Sequence, residues 1–128
     1  MKMSQLMSGF ALGCTLASQA WALEPQHFKV YSTGDLATLC SASPGDEFYA
    51  EGRAYCLAYI DGVMDYHAAL TAGPKFNAIV CPGTDVTRDE VAEVFVSWSR
   101  RQGQELNSEA PVHGVMRAVV AEWPCAGE

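Results

Sequence analysis

DEFYAEGRAYCLAYIDGVMDYHAAL, residues 46–70, sets the helical character of the chain. Tyr49, Cys56, Tyr59, Ile60, Val63 and Leu70 recur at helical spacing and give the segment one apolar stripe. Ala50, Ala54, Ala58, Ala68 and Ala69 add helix propensity. The spacing predicts one long helix from about Asp46 to Leu70, stopped by Ala72-Gly73-Pro74. Gly62 stands in its middle and costs about 1 kcal/mol relative to alanine in an exposed helix. A close contact with another helix is the expected reason for it.

Shorter helices are expected on both sides. Leu23 to Tyr31 has no clear period and holds Pro25, so it reads as an extended lead-in. Ser32-Thr33-Gly34-Asp35 is a helix start, with Leu36, Leu39 and Cys40 on one face and a stop near Ser43-Pro44-Gly45. Downstream, Phe76 to Val80 is a connector and Cys81 to Asp85 a turn. Thr87 and Glu90 then fit a capping box, and Val86 and Val91 a hydrophobic staple. Val91, Val94, Phe95 and Trp98 form the stripe of this third helix. Arg100 and Arg101 suit its negative end, and Gly103 fits the position after it. Asn107 or Ser108 is expected to cap a fourth helix, with Pro111 in its first turn and Val112, Val115, Met116, Val119 and Trp123 on its stripe. No alternating strand pattern and no internal repeat is present. The expectation is an all-α, disulfide-stabilised single-domain bundle of about four helices.

The chain has 128 residues, 49% of them hydrophobic, with 8 basic and 15 acidic side chains. That apolar fraction excludes a disordered chain. A net charge of −7 speaks against a nucleic-acid partner, because a phosphate-binding surface must be positive, and equally against docking on anionic lipid. The first 22 residues read as a cleaved signal peptide: Lys2, an apolar run from Leu6 to Ala17, then the small-x-small pattern Ala20-Trp21-Ala22. The run is too short for a comfortable membrane span, so no membrane association is expected of the mature form. Ala11-Leu12-Gly13-Cys14 hints at a lipidation site, though Ala11 matches poorly. Cleavage after Ala22 leaves one domain over residues 23–128. Loss of Lys2 takes the charge from −7 to −8, and loss of Cys14 reduces five cysteines to four.

Those four, Cys40, Cys56, Cys81 and Cys125, suit an oxidising compartment and allow three connectivities. Sequence alone does not select one. Antiparallel helix neighbours favour Cys40–Cys56 and Cys81–Cys125. No CxxC pair exists for zinc, and no CxxCH for haem; no metal and no cofactor is expected.

Asp61 and Asp65 are four residues apart on the long helix, hence on one face. Paired carboxylates are able to hold a cation or share a proton, but the simpler reading is a polar contact, with one solvated and the other bonded to a neighbouring loop or cap. His67 faces elsewhere, and His27 and His113 are scattered. A small hydrolase reading rests on Asp61, Asp65 and His67 alone, with no nucleophile elbow and no phosphate loop. No catalytic residue is expected.

The order of these features resembles a known family. Gly34-Asp35-Leu36 runs to Cys40; Cys56 is followed by Tyr59-Ile60, Gly62 and Asp65; Ile79-Val80-Cys81-Pro82 precedes Val86-Thr87; and Trp123-Pro124-Cys125 closes the chain. From Tyr31 to Cys125 this is similar to the Rap/Tai family of type VI secretion immunity proteins. The resemblance implies a small helical periplasmic protein, often a homodimer, that blocks a cell-wall amidase effector by occlusion and catalyses nothing. Pro82 directly after Cys81 departs from the pattern, where one intervening residue is expected. The loops at Gly73–Ala78 and Gln102–Ala110 are the expected contact regions. The alternative is a periplasmic housekeeping or acid-stress chaperone-like protein without a toxin partner.

Overall fold

A computed structural model describes residues 22–126. The signal peptide expected over residues 1–22, and with it Cys14, lies outside the described residues except for Ala22. Four helices carry the fold, α1 (Thr33–Cys40), α2 (Tyr49–Thr71), α3 (Arg88–Ser99) and α4 (Pro111–Glu122), and the described residues form no strand beyond a single bridge of Val80 with Pro124.

The first helix begins at a reciprocal cap. Ser32 Oγ accepts from the Asp35 N–H at 3.1 Å, and the Asp35 carboxylate accepts from the Ser32 and Tyr31 N–H groups at 2.8 and 3.0 Å. Partial burial works to raise the Asp35 pKa. The N–H donors, the Ser32 hydroxyl and the charge of His27 outweigh it and hold the carboxyl below its usual value. The lead-in is not fully extended: Pro25–Phe28 makes one 3-10 turn, since proline presets the helical φ.

The long helix starts three residues later than the periodicity suggests. Asp46 is held outside it, because its Oδ1 accepts from the Phe48 N–H at 3.1 Å and fixes a turn before Tyr49. Gly52, Cys56 and Ile60 form its buried edge against α1 and α3. At 23 residues α2 is nearly twice as long as α3 or α4, which have 12 each. It spans about 35 Å. Beyond Ile60 no residue of α2 is fully buried, and Leu70, expected on the stripe, is 41% exposed. Gly62 has no atom within 4 Å of where a Cβ would stand, so no helix packs on it. The close approaches occur at other glycines: Gly52 lies under Leu23, and Gly114 against Thr33.

The start of α3 matches its sequence signature. Thr87 Oγ1 accepts from the Glu90 N–H at 3.2 Å, and Glu90 Oε2 accepts from the Thr87 N–H at 2.7 Å. The buried face holds Val91, Ala92, Phe95 and Trp98, while Val94 is only half-buried. Gly103 has φ −95° and opens a 3-10 turn at Gln104–Asn107, so it is not a left-handed helix terminator. That turn also takes Asn107 and leaves Ser108 behind it. The residue before α4 is therefore Ala110, without a side-chain cap, and Pro111 occupies the first helical position. Val112 turns outward, 39% exposed, and Val115, Ala118 and Val119 carry the contact.

Two disulfides tie these pieces. Cys40 pairs with Cys56 (Cα–Cα 5.1 Å), fixing α1 to α2. Cys81 pairs with Cys125 (Cα–Cα 4.8 Å), joining the entry of α3 to the exit of α4, where the Cys81 N–H also donates to the Trp123 carbonyl at 2.8 Å. In the chain-entropy account these closures contribute about 3 and 4 kcal/mol. Leu36, Cys56, Ile60, Phe95, Val115 and Val119 are fully enclosed between the helices. Among the described residues, no helix is long and apolar enough to cross a membrane.

Candidate interaction surface

The end of α2 and the loop after it carry four exposed large apolar side chains. Tyr66 and Leu70, four residues apart, share one helix face, and Phe76 and Ile79 follow on the loop. They are 67%, 41%, 50% and 55% exposed. Contiguous exposed apolar surface marks an interaction site more often than single scattered side chains do. The loop is anchored where it returns. The Ile79 N–H donates to His67 Nε2 at 3.2 Å, and Thr71 Oγ1 donates to the His67 carbonyl at 2.9 Å. Lys75 Nζ stands 5.6 Å from the Phe76 ring centre, within reach of its π face.

The two aspartates on α2 have different surroundings. Asp61 pairs with Arg88, the first residue of α3, at 3.0 Å, while Asp65 is exposed and makes none of the salt bridges among the described residues. Asp61 thus clamps α2 to the α3 entry just below the overhang. His67 spends its ring nitrogen on the loop. Among the described residues no group of three His, Cys, Asp or Glu side chains is placed to hold a metal ion. The three residues on which the hydrolase reading rests have separate partners or none.

The two expected contact loops differ. Residues 73–78 are all exposed and carry Phe76. Residues 102–110 are tied down. Leu106 is buried, the Glu105 carboxylate accepts from the Gly103 N–H at 3.0 Å, and Glu109 pairs with Arg117 at 3.0 Å. Arg117 in turn lies over the Trp98 ring, 4.9 Å from its centre. The Gly103 N–H is the main reason that Glu105 titrates below its usual range. A smaller apolar pair, Tyr31 and Val112, is exposed near the α1 and α4 starts. Sequence periodicity placed Leu70 and Val112 inside. The signal that corrects Leu70 is the length of α2 against its neighbours.

Neither a curated protein nor a solved structure matches the chain. The profile of the family described as Rap1a immunity proteins matches residues 32–125, from the first helix cap to the last cysteine. The matched span holds all four helices and both disulfides, and the chain belongs to the Rap1a immunity protein family.

Proposed function

We propose that the mature chain is a periplasmic type VI secretion immunity protein that binds a peptidoglycan amidase effector and blocks it by occluding its cleft, without chemistry of its own. Family membership supports the class. The observation that carries the mode of action is the exposure of Tyr66 and Leu70 on the end of α2 and of Phe76 and Ile79 on the following loop. Aromatic anchors such as Tyr66 contribute strongly to interfaces when a partner excludes water from them. The acidic balance supports steering toward a basic cleft. Two disulfides suit an oxidising compartment, and residues 1–22 supply the export signal in this reading. A homodimer is part of the same reading.

The test is titration of the cognate amidase with the purified mature protein, read as release of cell-wall peptide. Loss of hydrolysis near equal ratio supports the proposal, and full activity in molar excess overturns it. Sedimentation of the free protein reads the dimer separately.

A further inference from the structure

Leu23 is a single buried residue in an otherwise exposed entry segment, with Glu24, Pro25 and Gln26 exposed after it. Ala22 is exposed, whereas Leu23 is 4% exposed. The Leu23 side chain fills the space over Gly52, with Cδ1 2.5 Å from where a Cβ would stand there, beside the Leu39 carbonyl. Its backbone N–H donates to Asp46 Oδ2 at 2.6 Å across 23 residues of sequence. The other oxygen of Asp46 holds the turn before α2. One carboxylate therefore joins the chain's entry to the α1–α2 corner. The small-x-small pattern Ala20-Trp21-Ala22 points to hydrolysis of the same Ala22–Leu23 bond.

We propose that this bond is the processing site and that the amine it frees docks on Asp46 as an ion pair of the mature fold. A signal-peptidase-class enzyme adds one water across the peptide bond. Ala22 leaves with the new carboxylate, and Leu23 keeps the nitrogen as an amine. With a usual pKa of about 7.7–8.0, that amine takes up a proton and is largely ammonium at neutral pH. The amide–carboxylate hydrogen bond becomes an ammonium–carboxylate pair in the same place, and charge-assisted bonds are roughly twice as strong as neutral ones. An open cavity of about 730 Å³, which Ala22, Leu23 and Asp46 help to line, gives water access to the remaining ammonium hydrogens. Leu23 anchors the terminus by burial and Asp46 by charge. Export processing thereby completes the fold, and a terminus longer or shorter by one residue places the charge wrongly.

The experiment uses the full chain, expressed with its own leader and recovered from the envelope. Its terminal sequence is expected to begin at Leu23. Acylation of the α-amine near neutral pH is then timed, with Lys29 and Lys75 as internal references. The docked amine should react about tenfold more slowly than the same amine in Asp46→Asn, whose remaining oxygen still holds the Phe48 turn. Should Asp46→Asn not fold, the rate for the native sequence in denaturant provides the reference. A terminus elsewhere than Leu23, or an amine that reacts as fast in the folded native chain as in the reference, overturns the proposal.

Discussion

Thr33 and Gly114 touch where α1 crosses α4: a Cβ on Gly114 would stand 2.8 Å from Thr33 Cβ and closer still to its Oγ1 and Cγ2. Thr33 is fully buried, and its hydroxyl donates to the Glu109 and Ala110 carbonyls at 3.2 and 3.0 Å. The Thr33 N–H also donates to the Glu109 carbonyl at 2.8 Å, so backbone and hydroxyl are both held against the α4 entry. Gly114→Ala is therefore expected to destabilise the fold by about 2 kcal/mol through overpacking, despite the gain in helix propensity. Denaturant titration reads the loss, and an unchanged midpoint contradicts the packing described.

Gly62 predicts the opposite sign. It lies inside an exposed helix with open space around it. Gly62→Ala should stabilise by about 0.5–1 kcal/mol through backbone entropy alone. A destabilised variant implies a neighbour that the monomer does not contain, which makes this substitution informative about a dimer.

The two disulfides should differ in reactivity. Cys40 and Cys56 are buried, whereas Cys81 is exposed and Cys125 partly so. Mild reductant followed by alkylation and mass spectrometry should label Cys81 and Cys125 first, because thiolate attack requires access to sulfur. Paired Cys→Ala replacement is expected to cost about 4 kcal/mol at Cys81/Cys125 and about 3 at Cys40/Cys56. Preferential labelling of Cys40 contradicts the burial order.

Asp35 gives a pH dependence of defined sign. Its folded-state pKa is lowered below 3.8, so the charged carboxylate is favoured by folding. That contribution is complete above the unfolded-state value and is lost as the pH falls through the folded-state value. Asp35→Asn should lower stability by about 1 kcal/mol at neutral pH, the usual scale of a helix cap. The gap from the native protein should close below pH 3.8. A gap that stays constant down to pH 2 removes the charge from the account.

Much of this fold was legible in the residues because its signals are local. The Thr87–Glu90 capping box, the Ser32 start and the alanine-rich 46–70 segment each state their helix within a few positions. What failed was non-local. Whether Leu70 or Val112 is covered depends on how far the neighbouring helices reach, and periodicity carries no information on length matching. Gly62 and Gly114 look alike in sequence, yet only Gly114 meets another helix. Gly103, Asn107 and Ser108 all carry cap chemistry, but a 3-10 turn takes up Asn107 and has the other two as its flanking residues. Of the proposed interaction surface, only Gly73–Ala78 was legible. Its helix half, Tyr66 and Leu70, emerged from the overhang of α2.

The most direct measurement is inhibition of the cognate amidase by the native mature protein beside a Leu70→Ser/Phe76→Ser variant. Both positions are exposed, so the variant should unfold within a degree or two of the native protein. Complete inhibition near equal ratio is expected for the native protein and at least tenfold weaker inhibition for the variant, a loss of about 1.4 kcal/mol or more. Equal potency of the two contradicts the α2 overhang as the contact surface, and an amidase untouched by either contradicts the immunity function itself.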